Sequence, residues 1–305
     1  MPQPRIILFI LALLLLSCTD DFDNTDSYES QLVVEGWIDD GGFPVVILTR
    51  TLPVSTQKQD IEKLKDYIIR WAKVTVSNGK DSVILTGKID NGYFPPYIYT
   101  TSKMRGSAGE RYSLTVEYKD FRACATTTIP SPPPHCSFNV LPCTDSDTLY
   151  QIKAKFTDNS EEKNYYQFFT RTGTETRQYM AAYLGSIDDD ILDGETDFSI
   201  YRHHQLRRKN KYTPYFTIND TVSIKFAQVD EASFQIWDSY IKMLSLSGNL
   251  FLSTSSNITS NIVGGYGYWC GYGSIEQHII LQDSIKAKEN FSFNDIAKNN
   301  YPAGL

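Results

Sequence analysis

The chain has no surplus of positive charge: 29 lysines and arginines face 36 aspartates and glutamates, a net −7. Nucleic-acid binding rests on basic patches that neutralise phosphates, and a polybasic hold on anionic lipid needs similar clustering, so both are disfavoured. Catalytic signatures are missing too: there is no G-x-S-x-G, no H-E-x-x-H, and no cysteine with a matched histidine motif. None of the five cysteines and four histidines shows the C-x2-C or H-x3-H spacing of a zinc site. The longest apolar run, Ile6 to Leu16, falls short of the roughly 20 residues a membrane-spanning helix needs. A glycosidase with paired carboxylates stays open, because its two acids have no fixed spacing in sequence.

The short apolar run is informative for what flanks it. Arg5 precedes it and Ser17 follows, the charge, apolar and small-residue order of a secretory signal. Leu15-Leu16-Ser17-Cys18 then fits a lipobox, so residues 1–17 are expected to be a signal peptide and Cys18 the lipid-bearing new N-terminus. A plain signal peptide or signal anchor is the competing reading. Two or three acyl chains make a stable anchor where one would not, and this covalent lipid is the only cofactor expected. Removing residues 1–17 takes away Arg5 and no acid, leaving 28 cations against 36 acids, or −8. Residues 18–29, with Asp20, Asp21, Asp23 and Asp26, read as an acidic tether too polar to bury a core.

Twenty tyrosines and 16 phenylalanines, with frequent Thr and Val, are a β composition. The expectation is a mainly β chain: an immunoglobulin- or fibronectin-like sandwich over 30–130, a proline-rich linker over 131–135, and a second β-rich domain over 136–305. In the first domain, Leu32–Ile38 and Pro44–Thr51 alternate as strands around the turn residues Asp39 to Gly42. Ile61, Leu64 and Ile68 suggest a short helix. Strands are expected at Ala72–Ser77 and Ser82–Thr86 around Asn78-Gly79, then at Arg111–Tyr118 and Ala123–Ile129, with Gly92–Tyr99 as an edge or loop. Seven or so strands in about 100 residues suggest the sandwich. In the second domain, Leu149–Phe156, Tyr165–Arg171, Phe198–Arg202, Thr221–Val229 and Ile275–Leu281 read as strands. Asp230 to Leu246 has helical period instead, with Phe234, Trp237, Tyr240, Ile241 and Leu244 on one stripe behind an Asp230 cap.

Four candidate sites stand out. Gly264 to Gly273 alternates glycine with aromatics; it lacks the ending of a P-loop and fits a strand or bulge against other backbone. Tyr266, Tyr268 and Trp269 there are either core or an exposed face for a ligand or partner. Asp188, Asp189 and Asp190, with Asp193-Gly194-Glu195, hint at calcium, but the spacing of an EF-hand fails and a solvated turn competes. His203 and His204 sit beside Arg202, Arg207 and Arg208; adjacent strand residues point apart, which favours a basic loop over a metal site. With Cys18 lipidated, four cysteines remain in an oxidising compartment, and Cys136 and Cys143 around Leu141-Pro142 suit a local disulfide. That clasp would leave Cys124 and Cys270 to pair or stay free.

The lipobox, LVVEGWID at Leu32–Asp39, T-T-I-P at Thr127–Pro130 and Asn164-Tyr165-Tyr166 occur in one order with Asp193-Gly194, INDTVSI at Ile218–Ile224 and SNIVGGYGY at Ser260–Tyr268. Together they resemble the domain of unknown function 4249 family, a group of Bacteroidota lipoproteins, over nearly the whole mature chain. Cys270 and the cysteines near the linker depart from its pattern. The acids Asp20, Asp21 and Asp23 resemble the signal that sends such lipoproteins to the outer face of the outer membrane. The family's members are often encoded beside TonB-dependent receptors. The resemblance therefore implies a non-enzymatic accessory that helps a receptor capture a nutrient, held in the membrane by lipid and binding no nucleic acid. An adhesive or structural surface protein is the alternative, with a hydrolase behind it.

Changing Cys18 to Ala is expected to abolish lipid labelling and move the protein to the soluble fraction; labelling unchanged in that variant would contradict the lipobox.

Overall fold

The computed structural model describes residues 30–51, 65–203, 213–246 and 258–282, apart from positions 134, 145, 160 and 193. The signal peptide, Cys18, Asp20, Asp21 and Asp23 lie outside these residues, as do His204, Asp193 and most of the short helix expected around Ile61 and Leu64. Ile68, the last residue of that pattern, bridges to Thr49.

The described chain is mainly β, with 16 strands and one long helix. In the first half these are β1 (Leu32–Asp39), β2 (Val45–Arg50), β3 (Lys73–Ser77), β4 (Ser82–Ile84), β5 (Thr86–Ile89), β6 (Tyr97–Thr100), β7 (Arg111–Tyr118) and β8 (Phe121–Thr128). Then come β9 (Cys136–Pro142), β10 (Leu149–Thr157), β11 (Tyr165–Thr172), β12 (Met180–Asp188), β13 (Glu195–Ile200), β14 (Phe216–Thr217), β15 (Thr221–Val229), α1 (Glu231–Leu246) and β16 (Tyr266–Ile280). Among the described residues no helix is long and apolar enough to cross a membrane.

One sheet of eight strands runs through both halves in the order β12-β11-β15-β16-β1-β2-β6-β5. Residues 131–135 connect β8 to β9, and the large sheet crosses from one side of that connection to the other. The join is β16. Its first seven residues pair in parallel with β1, from Val33↔Tyr266 to Asp39↔Tyr272. Its remainder pairs antiparallel with β15, from Gln228↔Gly273 to Thr221↔Ile280.

Strand alternation gives this sheet two different faces. On one face, Leu32, Val34 and Ile38 of β1 and Trp269 of β16 join Val46 and Leu48 in a core closed by the β4-β3-β7-β8 sheet. Farther along the same face, Ile279 of β16 and Val222, Ile224 and Phe226 of β15 pack on Tyr150, Ile152 and Phe156 of the small sheet around β10. Phe226 lies between Phe168, stacked at 4.3 Å between centroids, and Phe156 at 4.7 Å. The opposite face carries α1 and, beyond it, open space.

Helix α1 begins where the sequence places it. Asp230 accepts a hydrogen bond from the Ser233 amide at 2.9 Å through Oδ1, the N-cap arrangement. Its other oxygen accepts from the Thr127 hydroxyl at 2.8 Å and the Thr128 amide at 3.1 Å, so one carboxylate both starts the helix and ties it to β8.

The glycine-aromatic run is the first part of β16, and its glycines answer to close backbone. A Cβ on Gly267, whose φ is +110°, would overlap the Val34 carbonyl; one on Gly273 would overlap the Pro130 carbonyl. Trp269 is wholly buried, and its indole N–H donates to the Tyr112 carbonyl at 3.1 Å. Gly36 makes room for that ring, since a Cβ there would stand 2.8 Å from it.

The disulfide expected between Cys136 and Cys143 does not form. Cys136–Pro142 is an extended strand with continuous pairing to β10, which holds the two cysteines about 20 Å apart, far beyond the roughly 7 Å Cα reach of a disulfide. The pattern around Leu141-Pro142 that suggested a loop is the end of β9. Cys124, Cys136 and Cys270 are free thiols.

Trp269→Ala is expected to lower stability by about 3–5 kcal/mol, the usual cost of emptying a buried aromatic site. Chemical denaturation should register it as an earlier midpoint at unchanged slope; a midpoint within error of the parent would contradict the packing described.

Candidate functional site

The open face of the large sheet holds a cleft of about 400 Å³. Four neighbouring strands supply its floor by the same alternation that builds the core. Trp37 and Asp39 come from β1, Tyr268, Tyr272 and Glu276 from β16, Lys225 from β15, and Phe169 and Arg171 from β11. Trp237 of α1 closes one end, donating to the Tyr272 hydroxyl at 3.1 Å and meeting the Tyr268 ring at 4.9 Å. Tyr93, in the segment between β5 and β6, stands over Trp37 with ring centroids 6.1 Å apart. Tyr179, just before β12, forms the far side.

Lys225 is the unusual residue. It sits in the middle of an otherwise largely apolar strand, TVSIKFAQV, and its side chain is only 5% exposed. A bare ammonium so placed would carry a large desolvation cost, which paired charge must offset. Asp39 meets it at 2.5 Å and Glu276 lies at 3.9 Å, while Tyr179 and Tyr272 present ring faces at 5.1 and 5.3 Å. Asp39 also accepts from the Ser274 hydroxyl at 3.3 Å, and Glu276 from the Tyr179 hydroxyl at 2.8 Å. Burial and then the Glu276 charge push the Tyr179 phenol well above its ordinary value, so it stays a donor at any physiological pH.

A second network lines the rim. Asp90 takes Arg177 at 3.2 Å and Lys88 at 3.6 Å. The backbone joins the same two segments, with the Arg177 amide donating to the Gly92 carbonyl at 2.7 Å. Arg171 differs from the other cations. Its guanidinium lies 4.7 Å from the Tyr179 ring and donates to Ser223 Oγ at 3.1 Å, but among the described residues no carboxylate comes within ion-pair distance of it.

One more acid sits beside the cleft. Glu35 lies on the same face of β1 as Trp37 and Asp39, and opposite Tyr268 in the β1–β16 register. Burial alone lifts its carboxyl from the ordinary 4.5 to about 7. Its charge in turn raises the phenols of Tyr240 and Tyr268, after the larger effect of their own burial.

The aromatic face expected at Tyr266, Tyr268 and Trp269 is therefore split by strand alternation. Tyr268 lines the cleft, whereas Trp269 points through the sheet into the core and cannot meet a ligand. Tyr266 is 56% exposed at the end of β16 and is no part of the cleft lining. The acidic run Asp188, Asp189 and Asp190 encloses the Lys163 ammonium, which contacts all three, at 2.6 Å from Asp189 and from Asp190. A lysine thus stands where a calcium ion would sit. His203 is buried and hydrogen-bonded to Thr170 through both its ring Nδ1 and its amide, each at 3.1 Å. Cys270 faces α1, and burial pushes its thiol up to about 12, which makes it unreactive.

In a comparison with known families, the family described as Domain of unknown function (DUF4249) aligns with residues 19–277. No curated protein matches the chain.

Glu35 leads to a pH prediction. Below about pH 4.5 the carboxyl is protonated whether the chain is folded or not. Between 4.5 and 7 only the folded state keeps the proton, so stability contributed by the neutral acid is lost as pH rises through that window. The full loss is about 3 kcal/mol. Glu35→Gln should flatten this part of the stability profile and melt higher than the parent at pH 8; identical profiles for the two proteins would contradict a desolvated Glu35 carboxyl.

Proposed function

The chain belongs to the domain of unknown function 4249 family, and we propose that it is an outer-membrane lipoprotein, anchored through Cys18 and facing outward, that captures a small solute for a TonB-dependent receptor without transforming it. The observation that carries this reading is the cleft. Small-molecule sites are concave, largely preformed and lined by aromatics with a few convergent polar groups, and they run from roughly 300 to 1,000 Å³. A space of about 400 Å³ between Trp37, Tyr93, Tyr179 and Tyr268 meets that description at its small end.

The polar groups there favour binding over chemistry. Asp39 is held by Lys225, Asp90 by Arg177 and Lys88, and Glu276 by Tyr179. A glycosidase needs two carboxyls free to face the scissile bond, whereas each of these three is already engaged by a neighbour. No serine, cysteine or histidine is among the residues that line the cleft, and the nearby Ser223–His278 pair is turned to Arg171. The acidic tether suits a body that stands away from the membrane on a soluble leash.

Two measurements test the reading together. Protease added to intact cells is expected to degrade the protein, and replacing Asp20, Asp21 and Asp23 with Ala to protect it at unchanged total lipoprotein. The full-length chain, gently solubilised from outer membranes, is expected to bring with it a TonB-dependent receptor. A protein spared until the outer membrane is breached would contradict outward display, and isolation without a receptor would favour an adhesive or structural role.

A further inference from the structure

Counting charge around the cleft separates one group from the rest. Four cations line it, Lys88, Arg171, Arg177 and Lys225, against three acids, Asp39, Asp90 and Glu276. The whole chain has net −7, so this lining runs against the protein's own sign. The acids are also already engaged: Asp39 and Glu276 flank Lys225, and Asp90 holds both Arg177 and Lys88. Arg171 is the lining cation with no carboxylate within ion-pair distance among the described residues. Its guanidinium is fixed rather than free: the Tyr179 ring lies on one side, one terminal nitrogen donates to Ser223 Oγ and the other to the Arg177 carbonyl at 3.5 Å. Ser223 is itself bonded to His278 Nδ1 at 2.8 Å, so a side chain of β16 backs the arginine. Arg171 lines the same cleft as the wall that Tyr93 and Trp37 form.

We infer that the cleft takes a small ligand that joins a flat ring to a single carboxylate, with the ring against the Trp37, Tyr93 and Tyr268 side and the carboxylate on Arg171. This deepens the reading of the cleft as a capture site and rests on it. Guanidinium presents a planar fork that matches a carboxylate, and one negative charge brings the lining to neutrality. A second negative charge would take the lining past neutrality, among the Asp39, Asp90 and Glu276 carboxylates. A cationic ligand would meet Arg171 uncompensated. Aromatic rings and the apolar faces of sugar rings both pack on side chains like these, so an aromatic acid and a sugar acid share the chemistry.

Four probes separate the possibilities when titrated into the full-length chain, with heat or Trp fluorescence as the readout: N-acetyltryptophan, its uncharged amide, glucuronate and glucose. At least one of the two acids is expected to bind, about tenfold or more tighter than its uncharged counterpart, and which acid binds identifies the ring. Arg171→Gln should remove that preference while the melting temperature stays close to the parent's. Should that variant unfold, raised salt on the parent protein serves instead and should weaken only the acid. An acid and its uncharged counterpart binding equally, or no binding by any probe, would overturn the inference. A receptor that co-purifies while all four probes fail would leave the accessory role standing and remove only this ligand class.

Discussion

The structure depends on the parallel pairing of β1 with β16. These strands are separated by roughly 230 residues of sequence, yet seven consecutive residues of each lie side by side. Parallel pairing slants the ladder and demands a long connection, here nearly the whole described chain. Closing so long a loop costs entropy that local contacts cannot repay. The compensation is on both faces of β16. Trp269 fills the core under β1 and β7, while Cys270 and Tyr272 pack against α1 and β11. The glycines between them let the Val34, Thr128 and Pro130 backbones approach.

The cleft follows from that join. Asp39 belongs to β1 and Lys225 to β15, and they meet only because β16 lies between their strands. Breaking such a pair by deleting one partner leaves a buried charge behind and typically costs about 3–5 kcal/mol, whereas the intact pair adds little net stability. Its contribution is better described as alignment: the ammonium can be buried only where the halves are in register. Around it the aromatic groups of two halves converge, Trp37 and Tyr93 from one, Tyr179, Trp237 and Tyr268 from the other. A binding site at a seam between subdomains is the usual place to find one.

Much of the fold is legible from alternation and turn chemistry. β7 and β15 fall on the expected residues, and α1 begins one residue after its Asp230 cap because three side-chain periods agree there. Among the strands that escape such reading, two do so for clear physical reasons. β9 ends in Leu141-Pro142, and proline reads as a break although it is tolerated at a strand terminus. β12 contains Gly185 and a left-handed Leu184, which interrupt its alternation. The site is harder to read than the fold. Within the glycine-aromatic run, sequence identifies aromatic content but not which parity faces outward, so Tyr268 and Trp269 look alike. Asp39 reads as the start of a turn, Asp39 to Gly42, and its carbonyl does accept from the Gly42 amide at 2.9 Å. The available signal was Lys225: a lone cation within TVSIKFAQV implies a buried charge, and a buried charge implies a partner from elsewhere in the chain.

Native-state hydrogen exchange on the full-length protein tests the join most directly. If β1 and β16 hold the halves as one unit, the amides of 33–39 and 266–272 should exchange only through global unfolding, at the same free energy as those of β7 and β15. Protection lost in β1 and the first half of β16 while β7 and β15 remain fully protected would mean that the halves are stable apart, and would contradict the account.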